Sequence, residues 1–351
     1  MLDLKHINAS IAGLDSAAQT AAVDHWNSVA KPIGSLGRLE DIVVQIAGLQ
    51  ASEQVDIAKR CVIAMCADNG VVAQGVSQSG PEVTTLIADN MHKGISSVCV
   101  MAKTAGIDVI PVDMGMVTPV AGMRDHHITR GTADMTLGPA MTRKQALEAI
   151  EAGVNVVAEA RELGYKLIVS GEMGIGNTTT SSAVAAVLLG CSVEEVTGVG
   201  AGLTSAGLAR KIDAIKRAIE LNQPNPDDAL DVLAKVGGYD IAGIAGLFIG
   251  GALYGIPVLI DGFISAMAAL VAQRLCPACT CAMIATHVSG EPAGKRALDA
   301  LGLEPIISAG MRLGEGTGAV CLVPMIDMAL ALYNGTSFDA IGLEAYEVNP
   351  Q

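Results

Sequence analysis

The sequence predicts an α/β protein built on a parallel sheet with helices on both faces, and three observations carry that expectation. Short apolar runs that read as strands alternate with longer stretches of helical periodicity. These runs are apolar at nearly every position rather than at every second one, as strands buried on both faces require. The composition agrees: 51% of the 351 residues are hydrophobic, only 3% are aromatic and 40 are glycine, a mix suited to close packing of small aliphatic elements.

Residues 1–50 read as helical. Ala, Val and Trp26 recur at helical spacing over 17–29, and Leu39, Ile42, Val43, Ile46 and Leu49 repeat the pattern. Between them, residues 31–38 form a rigid loop with Pro32, Gly34 and Gly37. After Ile57 the style changes. An apolar run at 61–66 stops at Ala67, Asp68, Asn69 and Gly70, a strand that delivers polar groups at its carboxyl end. Further strands are expected at 108–112, 166–170, 256–260 and 281–285. Helices are expected at 81–101, 143–163, 178–189, 203–221, 226–236, 263–274, 295–301 and 318–333. Ligands of such folds sit beyond the carboxyl ends of the strands, where strand order reverses. Chemistry is therefore expected in the segments that follow each strand.

Charge narrows the choice of partner. A formal net charge of −14 without a Lys/Arg stripe repels nucleic acid, so none is expected. A small anionic substrate needs a local arrangement of amides and one or two cations instead. Residues 1–10 carry no apolar export segment, and a cytoplasmic location is expected. The uncharged stretch 241–260 tempts a membrane reading, but its five glycines and Pro257 read better as a buried helix, a turn and a strand. Cys276, Cys279 and Cys281 lack a second pair at zinc-ribbon spacing, and Asp125, His126 and His127 sit in an irregular region without partners at ligand spacing. No metal is expected.

Three segments can carry chemistry. The first, 170–180, follows a strand and opens a helix, with Glu172, Met173, Gly174, Gly176, Asn177 and Thr178. Its glycines let backbone approach a ligand, Asn177 or Thr178 can cap the helix, and free amides there can hold an anion. An ordinary strand-to-helix turn is the alternative. No lysine follows as in a Walker loop, and the glycine spacing is wrong for a dinucleotide fingerprint, which argues against a nicotinamide-dependent dehydrogenase. The second segment holds Gly198, Gly200 and Gly202 ahead of a helix bearing Arg210 and Lys211; Lys211 can reach a phosphate, or the two can be a solvated basic pair. The third sets Glu315 between Gly314 and Gly316 after Leu313, just before an apolar helix. It reads equally as a helix-start carboxylate or as a general base. Asp261 and the segment 286–292, each after a strand, read as ligand or turn residues.

Taken together these segments resemble the nicotinate-nucleotide:dimethylbenzimidazole phosphoribosyltransferase family of cobamide biosynthesis. The resemblance spans nearly the whole chain: 31–40, Ala67 to Gly70, Glu82 to Thr84, 171–180, Asp261 with Gly262, and 313–318. It implies a Rossmann-like parallel-sheet domain over 53–330 and a small helical domain made by 1–52 and 331–351. It also implies a dimer with sites near the interface, homomeric or paired with a paralogue, and no cofactor, nicotinate mononucleotide being a substrate. The family's glutamate base falls on Glu315. Its nucleotide-handling residues fall on Glu172, Gly174, Gly176, Asn177, Thr178, Gly200, Gly202 and Lys211, with Asp261 and Leu313 also placed against substrate.

The acceptor pocket implied by the resemblance falls on Ser79, Ile87 and Met173. Here the chain departs from the family pattern, with Ile87 and Met173 where members handling dimethylbenzimidazole tend to carry Gln and Leu, and Gly80-Pro81 in place of a Pro-Gln pair. Losing a pocket Gln removes a group that can recognise an azole nitrogen, and Met adapts to another ring shape. A phenolic acceptor, phenol or p-cresol, is expected on this ground; neutral drift with an unchanged benzimidazole is the alternative. A non-catalytic partner subunit is the competing reading, and Glu315 between its glycines speaks against it.

Overall fold

The computed structural model describes residues 2–344 and 346. Met1, Ala345 and 347–351, at the outer ends of the segments expected to form the small domain, lie outside the described residues.

The chain opens with three helices, α1 (Leu4–Ser10), α2 (Ser16–Ser28) and α3 (Arg38–Gln50). The loop between α2 and α3 is pinned from inside: Glu40 Oε1 takes hydrogen bonds from Lys31 Nζ at 2.8 Å and the Leu36 amide at 2.9 Å. The α/β part then runs β1 (Arg60–Ala67), α4 (Glu82–His92), α5 (Ser97–Thr104), β2 (Asp108–Gly115), β3 (Arg124–Asp125), α6 (Arg143–Glu162), β4 (Leu167–Met173), α7 (Asn177–Leu188) and α8 (Val193–Val196). It continues with α9 (Ser205–Asn222), α10 (Ala229–Val236), α11 (Tyr239–Tyr254), β5 (Val258–Ile260), α12 (Phe263–Leu275), β6 (Met283–Ala285), α13 (Gly294–Leu301) and α14 (Thr317–Tyr333). The start of the chain meets its end: Ala22, Trp26, Val43 and Ala47 pack on Ala329 and Tyr333 of α14.

The strands form one parallel sheet in the order β3-β2-β1-β4-β5-β6, as the continuous apolar runs require. Order reverses between β1 and β4, where Met65 lies beside Glu172. The crevice that such a reversal opens at the carboxyl edge is the place for a ligand.

The tempting apolar stretch is α11, a turn at Gly255 and β5, and α11 is buried over most of its length. Its glycines let it lie against α6 almost backbone to backbone. A methyl on Gly153 would stand 2.1 Å from the Gly243 carbonyl oxygen, and one on Gly246 would stand 2.2 Å from that of Ile150. No helix among the described residues is long and apolar enough to cross a membrane.

Four local expectations are corrected. The helix expected over 81–101 is two helices, broken at Gly94, whose φ of +75° no helix interior accepts. The strand expected at 281–285 covers only Met283–Ala285, because Pro277–Ala282 closes into 3₁₀ turns. Part of the irregular region near 125 pairs with β2 as the edge strand β3. The short helix α8 has a Ser192–Glu195 capping box that periodicity alone does not reveal.

Candidate active site

A cavity of about 280 Å³ opens at the carboxyl edge of β4, β5 and β6. It is lined by Ile87, by Glu172 to Ile175, Asn177 and Thr178, by Gly200, by Asp261 to Ser265, by His287, Ser289 and Glu291, and by Met311 to Glu315. The three candidate segments, scattered along the chain, thus face one space.

Glu315 occupies the left-handed region at φ +63°, a conformation that costs a side-chain-bearing residue strain. Two contacts hold it there. Its amide donates to Glu172 Oε1 at 3.4 Å, and its Oε2 accepts from the Val98 amide at the start of α5 at 3.0 Å. The turn that carries it is anchored by Asp261, whose Oδ1 accepts from the Ala319 amide at 2.9 Å. Gly314 is favoured by its left-handed backbone at φ +91°, and a methyl there would also stand 2.7 Å from Glu172 Oε1.

Glu172 closes the floor. Burial, reinforced by the charges of Asp240 and Asp261, pushes its carboxyl up to about 8, so at neutral pH it holds a proton. Asn177 donates its side-chain amide to Glu172 Oε2. Behind Gly174, Asp240 is buried and raised to about 7 by desolvation. Asp261 is raised by burial against the opposing charge of His287, and His287 is lowered by burial.

Lys211 stands outside the cavity lining, fully buried behind Thr178. Its Nζ donates to Thr178 Oγ1 at 2.9 Å and to the Gly198 carbonyl at 3.1 Å, and burial lowers it to about 8. Gly200 lets the loop cross this corner, since a methyl there would meet Thr178 Oγ1 at 2.9 Å. The solvated-pair reading fails for Lys211, while Arg210 does reach outward to the Gly75 carbonyl.

Some expected residues stand elsewhere. Neither Asn177 nor Thr178 caps α7; Gly176 holds the cap position without a side-chain bond, because Asn177 turns to Glu172. The amides of Asn177, Thr179 and Thr180 bond back to Gly174 and Gly176, so Thr178 lines the cavity at that end with the Lys211 amine behind its hydroxyl. Gly176 lines a smaller adjoining recess, and Gly202 offers its carbonyl to Gln78. Ser79 lies outside the cavity lining, in the turn where its amide bonds Ser77 Oγ at 3.2 Å. Leu313, Ile87 and Met173 do line it. Sequence reasoning missed Asp240, which shows only as the charged edge of an apolar run, and Val98, concealed by an apparently continuous helix. Among the described residues no cluster of His, Cys, Asp or Glu has the spacing to hold a metal ion.

A polar-lined cleft with a tethered carboxylate, backed by a buried amine behind Thr178 and set at the carboxyl edge of a parallel sheet, is the kind of site in which enzymes of this fold class bind small molecules. A family model described as phosphoribosyltransferase matches residues 11–342. The chain is 46% identical over 335 residues to the nicotinate-nucleotide–dimethylbenzimidazole phosphoribosyltransferase of Ruminiclostridium cellulolyticum, covering 94% of this chain and 95% of that protein. It is 43% identical over 340 residues to the same-named protein of Escherichia coli strain SE11, covering 95% and 94%. The crystal structure of the Thermus thermophilus enzyme of that name superposes with a TM-score of 0.87 at 34% identity, covering 94% of this chain and 99% of that one. The chain therefore belongs to the nicotinate-nucleotide–dimethylbenzimidazole phosphoribosyltransferase family, and it is a phosphoribosyltransferase.

Proposed function

We propose that this enzyme moves the phosphoribosyl group of nicotinate mononucleotide to an aromatic lower-ligand base, giving an α-linked ribotide and nicotinate for cobamide assembly. The observation that carries the reading is the placement of the Glu315 carboxylate in the same cavity as the Glu172–Thr178 segment and Asp261. In the donor the ring nitrogen is quaternary, so breaking the glycosidic bond releases a neutral nitrogen and needs no acid. An oxocarbenium-like ribosyl centre and a weak nucleophile remain. Glu315 takes the acceptor's proton as the new bond forms, help worth about 10²–10⁴-fold. Attack on the face opposite nicotinate converts a β into an α linkage, and holding both rings across the sugar supplies further acceleration. Lys211 with Thr178 receives the phosphate, the neutral Glu172 adds no charge to a cleft that takes anions, and the residues themselves need no metal or cofactor for this chemistry.

For the acceptor, the reading is phenol or p-cresol. Its support is the apolar pair Ile87 and Met173 at the cavity wall, while the side-chain amide of Asn177 is taken up by Glu172. A dimer, with a second copy or a paralogue, is supported by the exposed Leu86, Ile95, Val100, Val117 and Leu313 around the cavity's α4–α5 side. The test is turnover of phenol, p-cresol and dimethylbenzimidazole with nicotinate mononucleotide, read as nicotinate release and ribotide formation. Product from dimethylbenzimidazole alone ends the phenolic reading. No nicotinate release with any acceptor, alone or with a paralogue, ends the catalytic one.

A further inference from the structure

The break between α4 and α5 does more than turn the chain. At Gly94 the helix ends with the Gly94 amide on the Met91 carbonyl at 3.0 Å and the Ile95 amide on that of Asn90 at 2.9 Å. Ser96 then caps a new helix, its Oγ accepting from the Cys99 amide at 3.5 Å. In an unbroken helix the amide of Val98 would bond to a carbonyl four residues back. The restart turns it into a first-turn donor without an intrahelical partner. That donor is aimed at Glu315 Oε2, 3.0 Å away and 217 residues distant in sequence.

The opposite side of Glu315 is held as well, by Glu172 Oε1 on its amide. A non-glycine residue at positive φ persists only where its surroundings hold it. A free glutamate side chain turns about several bonds, and misplacing a reacting group by an ångström can cost about 10²-fold in rate. We infer that Val98, through its backbone amide, is a positioning residue for the catalytic base: it fixes Oε2 of Glu315 and leaves Oε1 to take the acceptor's proton. The inference rests on Glu315 being the base. The partial positive charge at the start of α5 keeps the carboxylate docked between turnovers.

Two proline substitutions separate this role from a structural one. Ser97→Pro puts the ring at the first helical position, after Ser96, whose backbone is already extended (φ −69°, ψ 170°), and keeps the Val98 donor. Val98→Pro removes the donor. Expected is a fall in kcat of about tenfold or more for Val98→Pro, with the donor KM within about twofold, and Ser97→Pro within about twofold of the parent. Unchanged kcat in Val98→Pro, or equal losses in both variants, overturns the inference. Val98→Pro also strains Ser97, so hydrogen exchange at the Val98 amide gives a reading that does not depend on that variant folding. Exchange should be faster in Glu315→Ala than in the parent, and equal exchange overturns the contact. A Glu315→Gln enzyme with full activity strikes the base assignment instead, whatever the exchange data show.

Discussion

The Lys211 amine lies 2.9 Å from the Thr178 hydroxyl, fully buried, with no carboxylate of the described residues within ion-pair distance. A buried cation whose hydrogen-bond partners are neutral oxygens is costly, and burial lowers it to about 8 against the opposing pull of the Glu291 charge. In the proposed reading the donor phosphate completes its neutralisation. Replacing it with Met should raise the donor KM by about tenfold or more and change kcat less, since a phosphate far from the reacting carbon contributes mainly to binding. The pH dependence has a definite sign. Above about 8 the amine loses its proton, so the donor KM should climb with pH there, as steady-state kinetics across neutral to alkaline pH would reveal.

Glu315→Gln keeps shape and the Val98 contact but cannot take a proton. Its kcat should fall by about 10²–10⁴-fold while donor dissociation, measured by calorimetry, stays near the parent value.

Glu172 and Asp240 are carboxylic acids raised to about 8 and about 7. Their folded values lie above their unfolded ones, so the folded chain binds more protons between those limits. Their contribution to stability is complete below the ordinary carboxylate range and is lost progressively as pH rises from there through about 7 and about 8. Thermal melts should give a lower Tm at mildly alkaline than at mildly acidic pH, and Glu172→Gln should flatten that decline. An equal decline in the variant would place the origin elsewhere.

Ile87 and Met173 face the same cavity as Glu315. The double change Ile87→Gln with Met173→Leu should shift the ratio of kcat/KM toward dimethylbenzimidazole over p-cresol by about tenfold, the size expected from one pocket hydrogen bond and a modest shape change. Competition assays with both acceptors present would measure it.

The parallel sheet was legible because burial on both faces writes apolar runs into the strands, a signal carried by neighbouring residues. Apart from the single turn of α8, helix positions from α6 through α14 were legible for the same reason, through periodicity. The candidate loops were legible as glycines and polar groups at strand ends, and their order along the chain carried the family resemblance. Tertiary structure decided what no local pattern encodes. It broke the 81–101 helix at Gly94, so that Val98 could meet Glu315. It turned Asn177 from a cap into a partner of Glu172, left Ser79 outside the cavity, and buried Lys211 while its neighbour Arg210 stayed outside. The physical reason is the range of the interactions. Strand and helix formation answers to residues a few positions away, whereas the charge state of Glu172 and the pose of Glu315 depend on groups brought together only when distant segments close on one crevice.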